Sequence, residues 1–177
     1  MCKVILNLIG KMFSNKPNNE FTIPHPEEPP DYTKTVDNSS ADKVITQWLQ
    51  NYNVPVENWD YWRNQIVIQV TDTIPYPAGT FDGDDGKRHL IIRPEYLNAG
   101  VIAHEQAHNS YALLTDEQKA EFEATYTPLI STDPYIILLY KTNTYGLTNV
   151  VEGHAELYRY LTPKIPQALI PFYPKLF

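Results

Sequence analysis

Apolar side chains recur at helical spacing throughout the second half of the chain. This spacing predicts one helix over Leu97 to Leu114 and a second from Thr115, where Thr115-Asp116-Glu117-Gln118 has the sequence of a capping box. A third helix is predicted to start at Pro134. A fourth, capped by Asn149, is predicted to cover Val150 to Leu161. The C-terminal half is therefore expected to be mainly helical.

The first half mixes one helix with β-strand patterns. Ser39 or Ser40 is placed to cap a helix whose apolar residues share one face: Val44, Ile45, Trp48, Leu49 and Tyr52. Residues 65–71 are rich in β-branched types and predict a strand. Gly79-Thr80-Phe81 and a second strand, His89 to Arg93, flank an Asp-Gly turn, which predicts a hairpin. Strands followed by helices indicate an α+β fold.

The N-terminal region has a different composition. Prolines recur through residues 14–38 and exclude a helix there, so we expect an extended arm. We therefore divide the chain into an N-terminal segment with this arm (1–38) and one domain (39–177). The opening apolar run is too short for a transmembrane span and only faintly resembles a signal peptide. We expect no integral membrane segment and favour a cytoplasmic location, with export left open.

Charge and cysteine content narrow the classes of function. The formal net charge is -7 and no basic run is present, which disfavours a nucleic-acid partner. Cys2 is the one cysteine of the chain, so an intramolecular disulfide and a Cys₂His₂ or Cys₄ zinc site are both excluded. The length of 177 residues suits one domain with a real core, for which we favour a monomer.

The predicted helix at Leu97 carries a candidate metal motif, His104-Glu105-Gln106-Ala107-His108. Histidines four residues apart project from one helix face and can hold one tetrahedral ion. Glu105 can then act as general base and take a proton from the attacking water. Zn²⁺ is the expected cofactor, although imidazoles also suit iron, nickel and copper. Two ordinary helical histidines are the alternative interpretation.

The third ligand must come from another segment. In the pattern HExxHxxGxxH, a glycine and a histidine follow, but this chain has Tyr111 and Leu114 there. Glu152 and Glu156 are the candidates, one turn apart on the predicted fourth helix. One can bind the metal while the other accepts a hydrogen bond from a ligand imidazole. Gly153 and Ala155 are expected to permit close approach to the motif helix.

The same helix carries another histidine. His154 lies about 200° around the helix from Glu152, so it is expected to face away from the metal. We interpret it as a surface or packing histidine.

The segment from Tyr145 to Glu156, Tyr-Gly-Leu-Thr-Asn-Val-Val-Glu-Gly-His-Ala-Glu, resembles the catalytic domain of anthrax lethal factor and the related Pro-Pro endopeptidases. In that family HExxH is followed by a tyrosine seven positions before a glutamate ligand. The resemblance implies a zincin-like fold, with a small twisted sheet whose edge strand lies over the HExxH helix. It also implies zinc ligation by His104, His108 and Glu152, Glu105 as base, and Tyr145 as the phenol that steadies the oxyanion. Glu156 is then the hydrogen-bonding carboxylate.

These observations favour a zinc-dependent endopeptidase acting on a protein or peptide substrate. An edge strand can pair with an extended substrate, and Gly79, Thr80 and Phe81 are the candidate residues, with His89 to Arg93 as the alternative strand. A catalytically silent zincin-like domain that binds zinc or a protein partner is the second hypothesis. A helical interaction module with accidental histidines is the third.

Overall fold

The structure is a computed structural model that describes residues 38–71, 74–75, 78–82 and 86–177. The helices are α1 (Asn38–Asn51), α2 (Trp59–Gln65), α3 (Ala99–Ala112), α4 (Asp116–Thr132), α5 (Pro134–Thr142) and α6 (Val150–Leu161). The strands are β1 (Ile66–Val70), β2 (Ala78–Asp82) and β3 (Arg88–Ile92). Four short 3-10 turns are also described, at Val56–Asn58, Pro94–Tyr96, Tyr145–Leu147 and Gln167–Phe172. The predicted N-terminal segment and arm lie outside these residues, except that α1 begins at Asn38.

The three strands form one sheet in the order β1-β3-β2. β3 runs parallel to β1 and antiparallel to β2, with Leu90 opposite both Ile68 and Thr80. Leu90, Ile91 and Ile92 are consecutive and all buried, which indicates that both faces of the central strand are covered. β3 is therefore the strand that joins the sheet to the core.

The α+β prediction is confirmed, and the fold is mostly helical with a small sheet. The predicted hairpin pairing of β2 with β3 is present. Two details differ. The short helix α2 was not predicted, because seven residues give too few turns for a periodic pattern. Helix α1 begins at Asn38, so Ser39 and Ser40 lie inside it and neither stands at the cap position before its first turn.

Helix α3 passes through the centre of the described fold. Every residue from Val101 to Ala107 is buried, so this helix has no solvent face over two turns. Its first turn is capped by Asn98, whose side-chain oxygen accepts a hydrogen bond from the Val101 amide. Helices α1 and α6 and strand β2 all contact α3. A motif on this helix is therefore held by packing from several directions.

The remaining helices have the predicted starts. Thr115 caps α4 in a reciprocal capping box with Gln118, and Asn149 caps α6 through the Glu152 amide. Pro134 occupies the first turn of α5, where a backbone N–H would have no partner within the helix, so its absence costs no hydrogen bond. These local signals fixed the helix boundaries because each cap satisfies amides that the helix itself cannot pair.

The C-terminal tail, residues 162–177, packs on the helices. Five of its side chains are buried: Ile165, Leu169, Phe172, Tyr173 and Leu176. Its backbone accepts hydrogen bonds from Ser110 on α3 and from Trp62 on α2. In return, the Tyr173 hydroxyl donates to the His154 carbonyl of α6. The tail thus ties together three helices from one side.

Gly153 makes a contact that the sequence does not predict, because it faces Tyr126 of α4. A Cβ at this position would come 2.7 Å from the ring carbon Cζ of Tyr126, which is itself buried. The absence of a side chain therefore leaves room for the Tyr126 ring against α6.

No helix in the part of the chain described here is both long and apolar enough to cross a lipid bilayer.

We predict that Gly153→Ala lowers the free energy of unfolding by about 1–3 kcal/mol, because the new methyl group overpacks against a buried aromatic ring. Gly100→Ala is the control. It is also helical, but its nearest neighbour, Asn98 Oδ1, would lie 3.3 Å from the added Cβ. This control should stay within about 1 kcal/mol of the wild type. Urea unfolding measures both, and equal midpoints would contradict the close contact.

Candidate metal centre

Four side chains from two helices meet at the contact between α3 and α6. His104 and His108 are one turn apart on α3, and Glu152 and Glu156 are one turn apart on α6, so each pair projects from one helix face. The two pairs lie against each other in the interior. The helix spacing read from the sequence thus becomes a spatial cluster because α3 and α6 pack along these faces.

Three of the four side chains direct one donor atom each to a common point. His104 Nε2 and His108 Nε2 are 3.0 Å apart, and Glu152 Oε2 lies 3.3 Å from the first and 3.5 Å from the second. Two ligands of one tetrahedral zinc ion are separated by about 3.3–3.6 Å, given bond lengths of about 2.0–2.2 Å. The triangle therefore has the dimensions of a three-ligand metal site, and these three residues could hold a metal ion.

The Glu152 oxygen supports this interpretation. Oε2 is buried and has no hydrogen-bond partner among the described residues. A buried carboxylate oxygen without a donor is costly, and a bound cation would satisfy it. The donor set of two nitrogens and one oxygen also fits a borderline metal ion.

Glu156 lies on the other side of the His104 ring. Its Oε1 accepts a hydrogen bond of 2.7 Å from His104 Nδ1. With the proton on Nδ1, the lone pair of His104 is on Nε2, which is the atom that faces Glu152 and His108. Sequence reasoning left open which glutamate is the ligand; in the structure Glu152 joins the triangle and Glu156 orients the imidazole.

Two residues that sequence reasoning missed hold Glu156 in turn. The Asn143 side-chain amide donates to Oε2 of Glu156, and the Arg159 guanidinium lies 3.6 Å from Oε1. Glu156 is 1% exposed, so its charge requires such partners. Arg159 could have been found from its position one turn after Glu156 on the same helix. Asn143 has no comparable signal, because an Asn after a helix is typical of an ordinary turn.

The charges of the site shift the pKa values of His104 and Glu152. Burial alone would lower the pKa of His104, but the nearby carboxylates of Glu152 and Glu156 and the charge of Glu105 raise it to about 9. Burial would raise the pKa of Glu152, but the two imidazoles outweigh it and lower the value to about 2. The cluster therefore favours one positive charge between its carboxylates, and a metal ion can supply that charge in place of a proton.

Glu105 and Tyr145 lie beside the triangle. Glu105 is buried next to His104 in the chain, and its charge raises the pKa of both His104 and Tyr145. Tyr145 is carried by the turn Tyr145–Leu147, and its ring centre is 6.1 Å from that of His104. Burial, followed by the charge and hydrogen bond of Glu152, raises the pKa of Tyr145 to about 12. Its hydroxyl thus keeps its proton at neutral pH and can act as a hydrogen-bond donor.

The sheet offers one of the two predicted strands for pairing. β3 is central and is hydrogen-bonded on both sides, so the alternative that His89 to Arg93 form a free edge is wrong. β2, which contains Gly79, Thr80 and Phe81, has a single partner among the described strands. It also contacts helix α3. The candidate substrate strand is therefore at an edge of the described sheet and contacts the motif helix.

His154 takes no part in the cluster. It is completely buried, its ring stacks on Tyr173 with centres 3.9 Å apart, and its Nε2 donates to the Phe172 carbonyl at 2.8 Å. Burial lowers its pKa to about 3, so it is neutral. It is a packing histidine as expected, and it lies in the interior, not at the surface.

Comparison with protein-family models, with curated proteins and with solved structures finds nothing that matches this chain.

We predict that a divalent metal such as Zn²⁺ stabilises the protein against unfolding through this triangle. At a free metal concentration 100 times the dissociation constant, the gain is about 2.7 kcal/mol. Glu152→Ala should lose most of it, because one of three ligands is removed. Glu121→Ala, an exposed glutamate on α4, should keep it. Thermal unfolding with and without metal tests this, and an unchanged metal response in Glu152→Ala would exclude the proposed ligand set.

Proposed function

We propose that this chain is a zinc-dependent endopeptidase that hydrolyses a peptide bond in a protein or peptide substrate. The observation that carries the proposal is the convergence of His104 Nε2, His108 Nε2 and Glu152 Oε2 within 3.0–3.5 Å of one another, with a buried glutamate and a protonated phenol beside them. A site that only stores a metal does not require those last two groups.

Zinc is the metal that best suits this donor set. Two imidazoles and one carboxylate are the ligands of catalytic zinc sites that keep a fourth position open. When bound, zinc acts as a Lewis acid that polarises a carbonyl and makes water a stronger acid. The carboxylate that orients His104 is also typical of zinc sites, since it raises the basicity of the ligand.

Glu105 is the proposed general base. It adjoins His104 on α3 and is close enough for its charge to raise the pKa of both His104 and Tyr145. As a carboxylate it can take a proton from the attacking water and return it to the leaving amine. Its burial keeps the proton transfer away from bulk solvent.

Tyr145 is the proposed oxyanion donor. Its pKa of about 12 keeps the hydroxyl protonated, and the side chain is 52% exposed, so a substrate can reach it. A donor directed at the developing oxyanion lowers the barrier most when it is already in position before reaction. The Tyr-x6-Glu spacing shared with the lethal factor family supports the same assignment.

The substrate is proposed to bind in extended form along β2. The edge of β2 that has no partner among the described strands can donate and accept main-chain hydrogen bonds without regard to side-chain identity, as in other cases of strand addition. Because β2 contacts α3, a peptide on this edge would run near the histidines.

We predict that Glu105→Gln keeps zinc and loses cleavage by about 10²–10⁴-fold, since the amide cannot accept the proton. The assay is digestion of a peptide library by zinc-loaded protein, with metal content measured in the same samples. Glu121→Gln, which changes the same functional group on the surface, is the control. Wild-type protein that contains stoichiometric zinc but cuts no peptide would instead support the catalytically silent zinc-binding domain.

Tyr145→Phe should bind zinc normally and cleave about 10²–10³-fold more slowly, because one oxyanion donor is removed. Tyr160→Phe is the matched control: Tyr160 is also half-exposed, on α6, and should retain full activity. Loss of zinc from Tyr145→Phe would mean that this tyrosine is structural.

A further inference from the structure

The side-chain amide of Asn143 connects the glutamate that orients His104 with the turn that carries Tyr145. Asn143 follows helix α5 directly and lies between Glu156 and the turn that begins at Tyr145. Its Nδ2 donates to Oε2 of Glu156, and its Oδ1 accepts a hydrogen bond of 3.0 Å from the Tyr145 backbone amide. The donor of this side chain is therefore used on one side and the acceptor on the other.

The orientation of this amide is determined by its neighbours. A carboxylate oxygen can only accept, and a backbone N–H can only donate. The reversed amide would place an oxygen against the Glu156 carboxylate and an NH₂ group against the Tyr145 N–H. Asparagine satisfies both neighbours, and an acid or a hydrocarbon of the same size does not.

The hydrogen bond from Asn143 to Glu156 affects the proposed metal ligands. Oε1 of Glu156 accepts a hydrogen bond from His104 Nδ1, and Oε2 accepts one from Asn143. Both oxygens therefore hold the carboxylate in place. If Oε2 loses its donor, the buried carboxylate can rotate, and the His104 ring that it orients can rotate with it. Partners of this kind commonly change metal affinity by about 10–100-fold although they never touch the metal.

The hydrogen bond from the Tyr145 amide to Asn143 affects the Tyr145 phenol. This hydrogen bond fixes the start of the turn. From another side, the Tyr126 hydroxyl donates to the Gly146 carbonyl at 3.3 Å. The direction of the Tyr145 ring follows from the backbone of this turn.

We propose that Asn143 is a positioning residue that sets the His104 imidazole and the Tyr145 phenol relative to each other. This inference rests on the proposed function, because it assigns a purpose to both groups. An Asn that only ends helix α5 would contribute to folding and leave the metal site unchanged.

Three variants separate these interpretations. Asn143→Ala removes both connections. Asn143→Asp keeps the acceptor for the Tyr145 amide but removes the donor to Glu156 and places a second carboxylate there. Asn98→Ala is the matched control: Asn98 also binds a backbone amide through Oδ1, and it caps the helix that carries His104 without contacting Glu156 or Tyr145.

The experiment is a Zn²⁺ titration against a chromophoric chelator, together with amide hydrogen exchange by NMR and thermal unfolding of the metal-free proteins. Asn143→Ala should bind zinc about 10–100-fold more weakly and lose protection of the Tyr145 amide. Asn143→Asp should lose zinc affinity but keep that protection. Asn98→Ala should lower thermal stability and bind zinc as the wild type does.

Zinc affinity of Asn143→Ala within threefold of the wild type, or an unchanged Tyr145 amide, would overturn the proposal. So would an equal loss of zinc affinity in Asn98→Ala, since the effect would then be one of stability. The titration needs no substrate. A wild type that binds zinc and cuts no peptide therefore contradicts only the proposed function, and a wild type that binds no zinc contradicts both.

Discussion

The hydrogen bond between His104 and Glu156 joins the two central helices in the interior of the protein. Both side chains are buried, and a buried carboxylate without a partner costs several kcal/mol, so α3 and α6 are strongly favoured in the register that makes this contact. His108 and Glu152 lie one turn from these residues on the same two helices. Once the register is set, the three candidate ligand atoms face one another.

The site concentrates negative charge in a place with little water. Glu105, Glu152 and Glu156 all influence the His104 imidazole, and their combined effect raises its pKa although burial opposes it. Arg159 offsets part of this charge from the side of Glu156. A proton or a cation between the imidazoles and Glu152 would offset more of it. This excess of negative charge is a physical reason why the site could hold a metal ion.

The surrounding packing supports the geometry without taking part in it. Helix α6 lies against the Tyr126 ring of α4 because Gly153 leaves room for it, and the C-terminal tail is hydrogen-bonded to Ser110 of α3 and to His154 of α6. Rigid support of this kind matters because ligand positions must be held to within about half an ångström. The turn at Tyr145 is held in the same way, between Asn143 and Tyr126.

The sequence by itself determined the features that arise within one segment. The capping box at Thr115, the cap at Asn149 and the i, i+4 spacing of His104 and His108 depend only on near neighbours, so the helices and the paired ligands could be predicted. Only the tertiary structure decided that Glu152 meets the two histidines while Glu156 stands behind His104. It also decided that β3 is central and that Asn143 reaches across to Glu156. Each of these depends on how separate elements pack, and periodicity along the chain carries no information about that.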